Sequence, residues 1–385
     1  MAEMKYESFQ RLCDQFSKET LRQELRKAYQ PYIDHSQNVY IWGTGLLGRF
    51  ACKQLQQLKL FWGGVIAFID NNKVMTGTLI NDVPVISSDM VETDDVIIIC
   101  SKSFIDIESQ IKKELPNPSL SYHILPLLDD RFKEWGTALL DSLNKLDIYR
   151  EDYKKMFIKC ADDISREILD CILNYRFTMK SIWIQKAYDI TIECGDGREY
   201  FDSGVMKLHK DEVFVDCGGY IGDTVLEFVK NTDDIYKKIY FFEPGMEVYS
   251  KAKRNLKNVH DVLFTQAGVG EKAGVLQFSG EDDFGHIDDN GMETINIVML
   301  DEVVEDQPTF IKMDIEGAEL SALKGASKLI KKHRPKLAIC VYHKPEDLFE
   351  ILELIDSFGI NYKYYFRHYT NRVSGTILYC IPQSE

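Results

Sequence analysis

The chain has 385 residues, 45% hydrophobic and 28% charged, a length and composition for two or three packed domains rather than a disordered polymer. Its 46 Lys and Arg against 61 Asp and Glu leave a net charge of −15, which argues against a phosphate-binding nucleic-acid surface. Apolar runs such as residues 96–100 fall far short of the roughly 20 residues of a membrane span. The first twenty residues are charged throughout and lack the apolar stretch of a secretory signal. Nine scattered cysteines without a CxxC pair fit neither a zinc ribbon nor a disulfide scaffold, so a reduced, cytoplasmic protein is expected.

Residues 1–36 read as a helical arm, with Phe9, Leu12, Cys13, Phe16, Leu21 and Leu25 at helical spacing and Pro31 closing it. The arm could pair with a second copy, which leaves a homo-oligomer open. Residues 37–128 predict a small Rossmann-like α/β domain. Its strands are the continuous apolar runs 39–43, 64–70 and 95–100, and its crossover helices lie at 49–58 and 105–115. Residues 129–180 predict a charged helical connector. The run 181–201 is rich in Ile, Tyr and Thr and reads as a hairpin turning at Gly195-Asp196-Gly197, a β-rich lead-in to a domain over 181–385. From Glu212 a second strand–helix series follows (VFVDCG, KIYFFEP, DVLFTQAGVG, FIKMDIEG, KLAICVY), closed by YKYYFRHY and GTILYCIP as an antiparallel hairpin. The fold class is α/β, with two Rossmann-like units.

Each unit opens on a glycine loop. Gly43-Thr-Gly45-Leu-Leu-Gly48 follows a strand and opens a helix, and Asp70 ends the next strand. Such glycines bring backbone N–H groups close to a phosphate, and such an aspartate suits ribose hydroxyls. The plain alternative is a turn whose glycines only pack. The unit resembles small Rossmann-like domains of sugar-nucleotide and glycan-modifying enzymes, which implies a nucleotide or nucleotide-sugar ligand.

The second loop, Asp216-Cys-Gly218-Gly219-Tyr-Ile-Gly222-Asp223, carries its acid at the strand end. There it would repel a pyrophosphate but attract the ammonium of an amino-acid moiety. S-adenosylmethionine has such a moiety, a sulfonium and no phosphate. Glu243, ending the next strand, is placed for the ribose hydroxyls. VFVDCGGYIGDT, FFEP, QAGVG and above all FIKMDIEGAELSALKGA (310–326) resemble the FkbM-type methyltransferases over about residues 198–383. That resemblance implies a class I S-adenosylmethionine-dependent fold. By it, Asp216, Gly218, Gly219, Gly222, Asp223 and Glu243 bind the cofactor, and Ala267 and Gly268 line its adenine side. The segment 280–291 departs from the family, whose members often carry serines there.

The chemistry expected is methyl transfer to a hydroxyl. It needs an aligned acceptor and a group to take its proton, placed at the carboxyl ends of the strands. Asp314 ends FIKMD and is either that base or a carboxylate holding the following turn. Glu316 follows it, while Glu319 suits the dipole of a first helical turn. His343 ends KLAICVYH, where an imidazole titrating near neutral pH could serve as base. Asp314, Glu316 and His343 also allow a divalent cation by ligand type, but no compact ligand motif is present and no metal is expected. His286, His368 and Tyr369 are weaker candidates for the acceptor rim. Cys217, Cys340 and the tyrosines of 362–369 read as core. Family resemblance favours a small-molecule or glycan acceptor, in polysaccharide biosynthesis. Two rivals remain: a nicotinamide- or nucleotide-sugar-dependent enzyme using the first glycine loop, and a non-catalytic nucleotide-binding scaffold.

Overall fold

A computed structural model of the chain describes residues 18–35, 38–58, 64–92, 95–101, 103–122, 145–279, 286–287 and 293–383. The arm is a helix, Lys18–His35, that continues through Pro31 instead of stopping there. A proline removes one N–H donor and strains the preceding turn, and here Leu25, buried in the main core, helps hold the helix in place. Phe9, Leu12, Cys13 and Phe16 lie outside the described residues.

The first unit is a six-stranded sheet of β1 (Asn38–Trp42), β2 (Gly64–Ile69), β3 (Leu79–Ile80), β4 (Val83–Ile86), β5 (Val96–Ile99) and β6 (Ser119–Ser121), in the order β3-β4-β2-β1-β5-β6. All neighbours are parallel except β3 with β4. Both faces are covered, which is why its central strands are continuously apolar. Val39 and Ile41 pack with Ala51, Cys52 and Leu55 of the helix Leu46–Leu58. Tyr40 and Trp42, on the opposite face, join a core shared with the connector.

Among the described residues, that connector comprises the helices Leu146–Lys159, Asp163–Thr178 and Ser181–Cys194. The hairpin expected over 181–201 is therefore corrected to a helix followed by turns. Ile184, Ala187 and Thr191 are buried at helical spacing while Ile182 is exposed, so the 3.6-residue period overrides the β-propensity of the branched residues. Gly195 caps that helix, and the glycines at 195–197 end an element rather than turn a hairpin. Phe104 stacks with Tyr175, ring centroids 6.1 Å apart. Asn371 donates to Asp106, and Ser181 to Glu108. These contacts tie the first unit to the rest.

Asp162 starts the middle helix. Its carboxylate accepts from the Ser165 N–H at 2.8 Å and pairs with the buried Arg367 at 2.7 Å. Burial would push its carboxyl upward, but Arg367 and Ser165 outweigh it and hold the pKa below the ordinary value. A depressed pKa contributes stability above the unfolded value, lost as pH falls through the folded one. Asp162→Asn keeps a capping side chain and removes the charge. It is expected to cost about 2 kcal/mol at pH 7, with the gap closing in denaturation curves below about pH 4.

The second unit contains β7 (Val213–Cys217), β8 (Lys238–Phe242), β9 (Val262–Thr265), β10 (Gly268–Val269), β11 (Gly274–Ser279), β12 (His286–Ile287), β13 (Glu293–Val298), β14 (Phe310–Met313), β15 (Lys336–Cys340), β16 (Tyr362–His368) and β17 (Thr376–Pro382). Seven form the main sheet, β16-β17-β15-β14-β7-β8-β9, and β10-β13-β11-β12 form a smaller one. Counted along the main sheet in chain order, the strands run 3-2-1-4-5-7-6, with β17 antiparallel to its neighbours β15 and β16. The expected terminal hairpin is thus present, with Tyr362, Tyr364 and Phe366 buried in it, as are Cys217 and Cys340 in their strands. The chain leaves β7 toward β8 on one side and reaches β14 on the other. That reversal makes the carboxyl ends of β7 and β14 the switch point of the sheet, where open α/β sheets bind their ligands. Among the described residues, no helix is long and apolar enough to cross a membrane.

Candidate active site

The glycine loop after β7 lies against the end of β14. Gly218 has φ +76°, and a Cβ there would stand 1.8 Å from the Asp314 carbonyl oxygen, so the two strand ends meet over bare backbone. A Cβ on Gly219 would meet the Phe241 ring at 2.1 Å. Gly222 caps the helix Asp223–Asn231, which Asp223 opens as an exposed first-turn acid. Glu243 follows the end of β8, nearly buried. Its two carboxylate oxygens accept from Tyr220 N–H at 3.0 Å and Gly245 N–H at 2.9 Å. Burial pushes its pKa up while those two amides oppose the shift. A carboxylate fixed in this way has free lone pairs for a diol. Ala267 and Gly268 follow β9, Ala267 buried and Gly268 backed by Ile297.

Asp216 has a protein partner of its own. It is fully buried, and its partner in register on β14 is Lys312, a lysine 2% exposed whose Nζ stands 3.1 Å from Asp216 Oδ1. The same ammonium donates to Gly218 O at 2.7 Å and lies 5.2 Å from the centre of the Tyr200 ring. Burial would strip its proton, but the charges of Asp216 and Asp314 prevail and hold it cationic. The acid at the strand end therefore already has a cation, and Lys312 links it to the backbone of the glycine loop. The signal was in the sequence: a lysine inside an apolar strand needs a buried acid across from it.

Asp314 follows β14 and accepts from Tyr200 OH at 2.9 Å and Tyr342 OH at 3.0 Å. Burial would raise its pKa, but Lys312, His343 and the two hydroxyls keep it below the ordinary range. Glu316 sits in the next turn, half exposed and in the left-handed region at φ +54°. Tyr200 and Tyr220 share that region, so strained backbone gathers at this site. His343 follows β15 with its side chain 10% exposed. Its Nε2 is 3.5 Å from both Asp314 Oδ1 and Glu316 Oε2, and its Nδ1 is 3.0 Å from Glu319 Oε1. Burial would lower its pKa, but Glu319, Asp314 and Glu316 raise it to about 9. The imidazole thus holds its proton at neutral pH instead of titrating there. Glu319, fully buried, also accepts from Ile315 N–H at 2.9 Å.

The structure adds residues that sequence reasoning missed. Lys312 is one. Another is Glu199, whose carboxyl is pushed up to about 7 by burial and Asp314, with Lys312 opposing. It precedes Tyr200 in a turn-rich segment that the C-terminal hairpin anchors: Tyr369 OH donates to Asp202 at 3.0 Å, and Tyr379 OH to Tyr369 at 2.8 Å. No periodic pattern marks such a segment. Tyr369 is therefore a brace. His368, buried between Thr376 Oγ1 at 2.9 Å and Arg372 O at 3.0 Å, is part of the hairpin core and not of the acceptor rim. The side chain of His286 and most of the divergent segment 280–291 lie outside the described residues. The loop after His343 is held from the connector, where Arg176 donates to Pro345 O at 3.1 Å, Tyr149 OH to Glu346 at 2.9 Å, and Lys145 pairs with Glu346.

In the first unit, Gly43 has φ +123°, and a Cβ there would stand 2.4 Å from Cys100 O; on Gly48 one would stand 1.9 Å from Gly43 O. On Gly45 it would meet nothing within 4 Å. Asp70 accepts from the Thr44 hydroxyl and, at 2.8 Å, from Asn72 N–H. Two glycines pack, and the acid is engaged within its own turn.

Residues 216–365 match the family model for the methyltransferase FkbM domain. No curated protein matches the chain. Among solved structures, the methyltransferase FkbM of Methylobacillus flagellatus is 24% identical at a TM-score of 0.70, over 94% of this chain and 99% of that one; this likeness shows a shared fold. An rRNA methylase of Streptococcus thermophilus (15% identity, TM-score 0.31, 46% of this chain and 90% of that one) and an S-adenosylmethionine-bound fibrillarin of Aeropyrum pernix (9%, TM-score 0.30, 51% and 74%) overlap too little to carry weight.

Proposed function

We propose that the protein is an S-adenosylmethionine-dependent methyltransferase, a reading supported by the match of residues 216–365 to the methyltransferase FkbM domain. The acceptor is a hydroxyl, and the substrate a saccharide or glycan precursor. The observation that supports a hydroxyl acceptor is the polar pocket of Asp314, Glu316 and His343 at the strand ends, beside the glycine loop. S-adenosylmethionine, when bound, supplies a methyl group activated by its sulfonium.

Glu243, aimed by the Tyr220 and Gly245 amides, holds the ribose diol. The backbone of Gly218 and Gly219 leaves room for the amino-acid arm, and Glu199 and Asp223 place carboxylates near it. Ala267 and Gly268 bound the adenine side. Asp314, kept ionised, orients the acceptor hydroxyl, and the hydroxyl proton passes to the carboxylates of the cluster, of which Glu316 is open to solvent. His343 as imidazolium fixes the two carboxylates. The first glycine loop is given no ligand, because Asp70 is occupied by Thr44 and Asn72.

Calorimetric titration with S-adenosylhomocysteine tests the cofactor side. Micromolar binding is expected, weakened about 100-fold in Glu243→Ala, the loss of charge-assisted bonds. Absence of binding to folded protein would sink the assignment of these residues. For the acceptor, labelled methyl transfer to saccharides is compared with transfer to amine and thiol acceptors. Labelling confined to amines or thiols would overturn the hydroxyl reading.

A further inference from the structure

The acceptor pocket concentrates negative charge around one imidazole. Asp314, Glu316 and Glu319 all stand within 3.5 Å of a His343 ring nitrogen. Asp347, buried nearby, has its carboxyl pushed up to about 6 by burial and by Glu319. The nearest other ammonium on this loop, Lys344 Nζ, is committed to Gly317 O. Acids gathered in this way are not in themselves a site, but the imidazole adds an independent observation. His343 Nε2 is buried and has no hydrogen-bond partner, although it points between Asp314 Oδ1 and Glu316 Oε2. Glu319 Oε2, fully buried, is likewise without one.

We infer that Asp314 Oδ1, Glu316 Oε2 and His343 Nε2 form a divalent-cation site on the acceptor side of the pocket, the cation displacing to solvent the Nε2 proton that His343 carries without it, with Glu319 as the outer carboxylate on His343 Nδ1. The inference rests on the acceptor pocket proposed above and deepens it. Asp314, Glu319 and His343 each offer a ligand atom within 4.8 Å of the others. A first-row cation about 2.1 Å from each donor sets neighbouring ligands roughly 3 Å apart, so the 3.5 Å separations seen here have to close only slightly. Glu319 on Nδ1 is the arrangement that fixes a histidine's tautomer and turns Nε2 toward a metal. One imidazole with carboxylates suits Mn²⁺ or Zn²⁺ better than a soft-ligand ion. Three protein ligands leave open positions, which two neighbouring hydroxyl oxygens of a sugar can fill.

The test is titration of the full-length protein with MnCl₂ alone, reading free Mn²⁺ by electron paramagnetic resonance, with S-adenosylhomocysteine binding measured on the same samples. One Mn²⁺ per chain is expected. Affinity should fall at least tenfold in Glu316→Gln, whose exposed side chain can be changed without disturbing the core, and 10- to 100-fold in Glu319→Gln. His343→Ala should abolish binding. Wild-type protein that binds S-adenosylhomocysteine but no Mn²⁺ overturns the cation site and leaves the methyltransferase assignment standing. Mn²⁺ binding unchanged by Glu316→Gln and Glu319→Gln also overturns it. Failure of S-adenosylhomocysteine to bind the wild type counts instead against the cofactor residues.

Discussion

Replacing Lys312 with Met should destabilise the protein by about 3–5 kcal/mol, the cost of leaving a buried charge without its partner. Lys312 and Asp216 face each other in register on β14 and β7, 2% and 0% exposed, so no water can take over the neutralising role. Burial already pushes the Asp216 carboxyl up, and losing Lys312 pushes it further. A carboxyl whose folded pKa is raised loses stability as pH rises through that value. The deficit of the variant should therefore be largest at neutral pH and shrink as the acid becomes protonated. Urea denaturation between pH 4 and 8 reads this directly. The double variant Lys312→Met/Asp216→Leu, which removes both charges, should recover most of the loss. If the single variant is as stable as wild type, the pair is not what holds these strands together.

Gly218→Ala should be nearly as severe and should also remove cofactor binding. The added methyl would fall 1.8 Å from the Asp314 carbonyl oxygen, on backbone at φ +76°. Neither atom belongs to a flexible side chain, so β7 and β14 must separate at their carboxyl ends. Overpacking plus a disfavoured backbone conformation amounts to roughly 2–5 kcal/mol. The displaced loop would also release the Gly218 carbonyl from Lys312. Thermal unfolding together with S-adenosylhomocysteine calorimetry measures both effects. Gly45→Ala is the contrast: its Cβ would meet nothing within 4 Å. It should leave stability within about 1 kcal/mol of wild type, since the cost reduces to backbone preference.

Much of the architecture could be read before any coordinates, for a physical reason. Strands β1, β2, β5, β7, β8, β14 and β15 are covered on both faces, and the sequence records this as continuous apolar runs. The strands β3, β4 and β6 have two to four residues, too few for any period to appear. Residues 181–194 misled because Ile, Trp and Thr favour strands locally, while the burial of Ile184, Ala187 and Thr191, which decides the matter, is tertiary. At the site, strand-end acids such as Glu243 were legible from spacing. The raised pKa of His343 was not, because Glu319 and Glu316 reach it from a different strand–helix turn. Glu199 lies in a segment ordered by contacts with residues more than 160 positions away, such as Tyr369 on Asp202, which no local pattern can reveal.

The grip of the connector on the loop after His343 bears on modularity. Arg176, Tyr149 and Lys145 secure Pro345 and Glu346, yet all three lie well before the stretch that carries the family likeness. The smallest excisable enzyme is therefore longer than that stretch. A fragment beginning near residue 198 would retain the glycine loop after β7 but lose the contacts that hold Pro345 and Glu346. It would also expose the apolar face of the helix Asp347–Asp356, where Phe349 now packs on Tyr149 and Tyr153 at ring separations of 4.9 and 5.5 Å. The position of the loop after His343 is in this sense inherited from the connector as much as from the sheet that carries it.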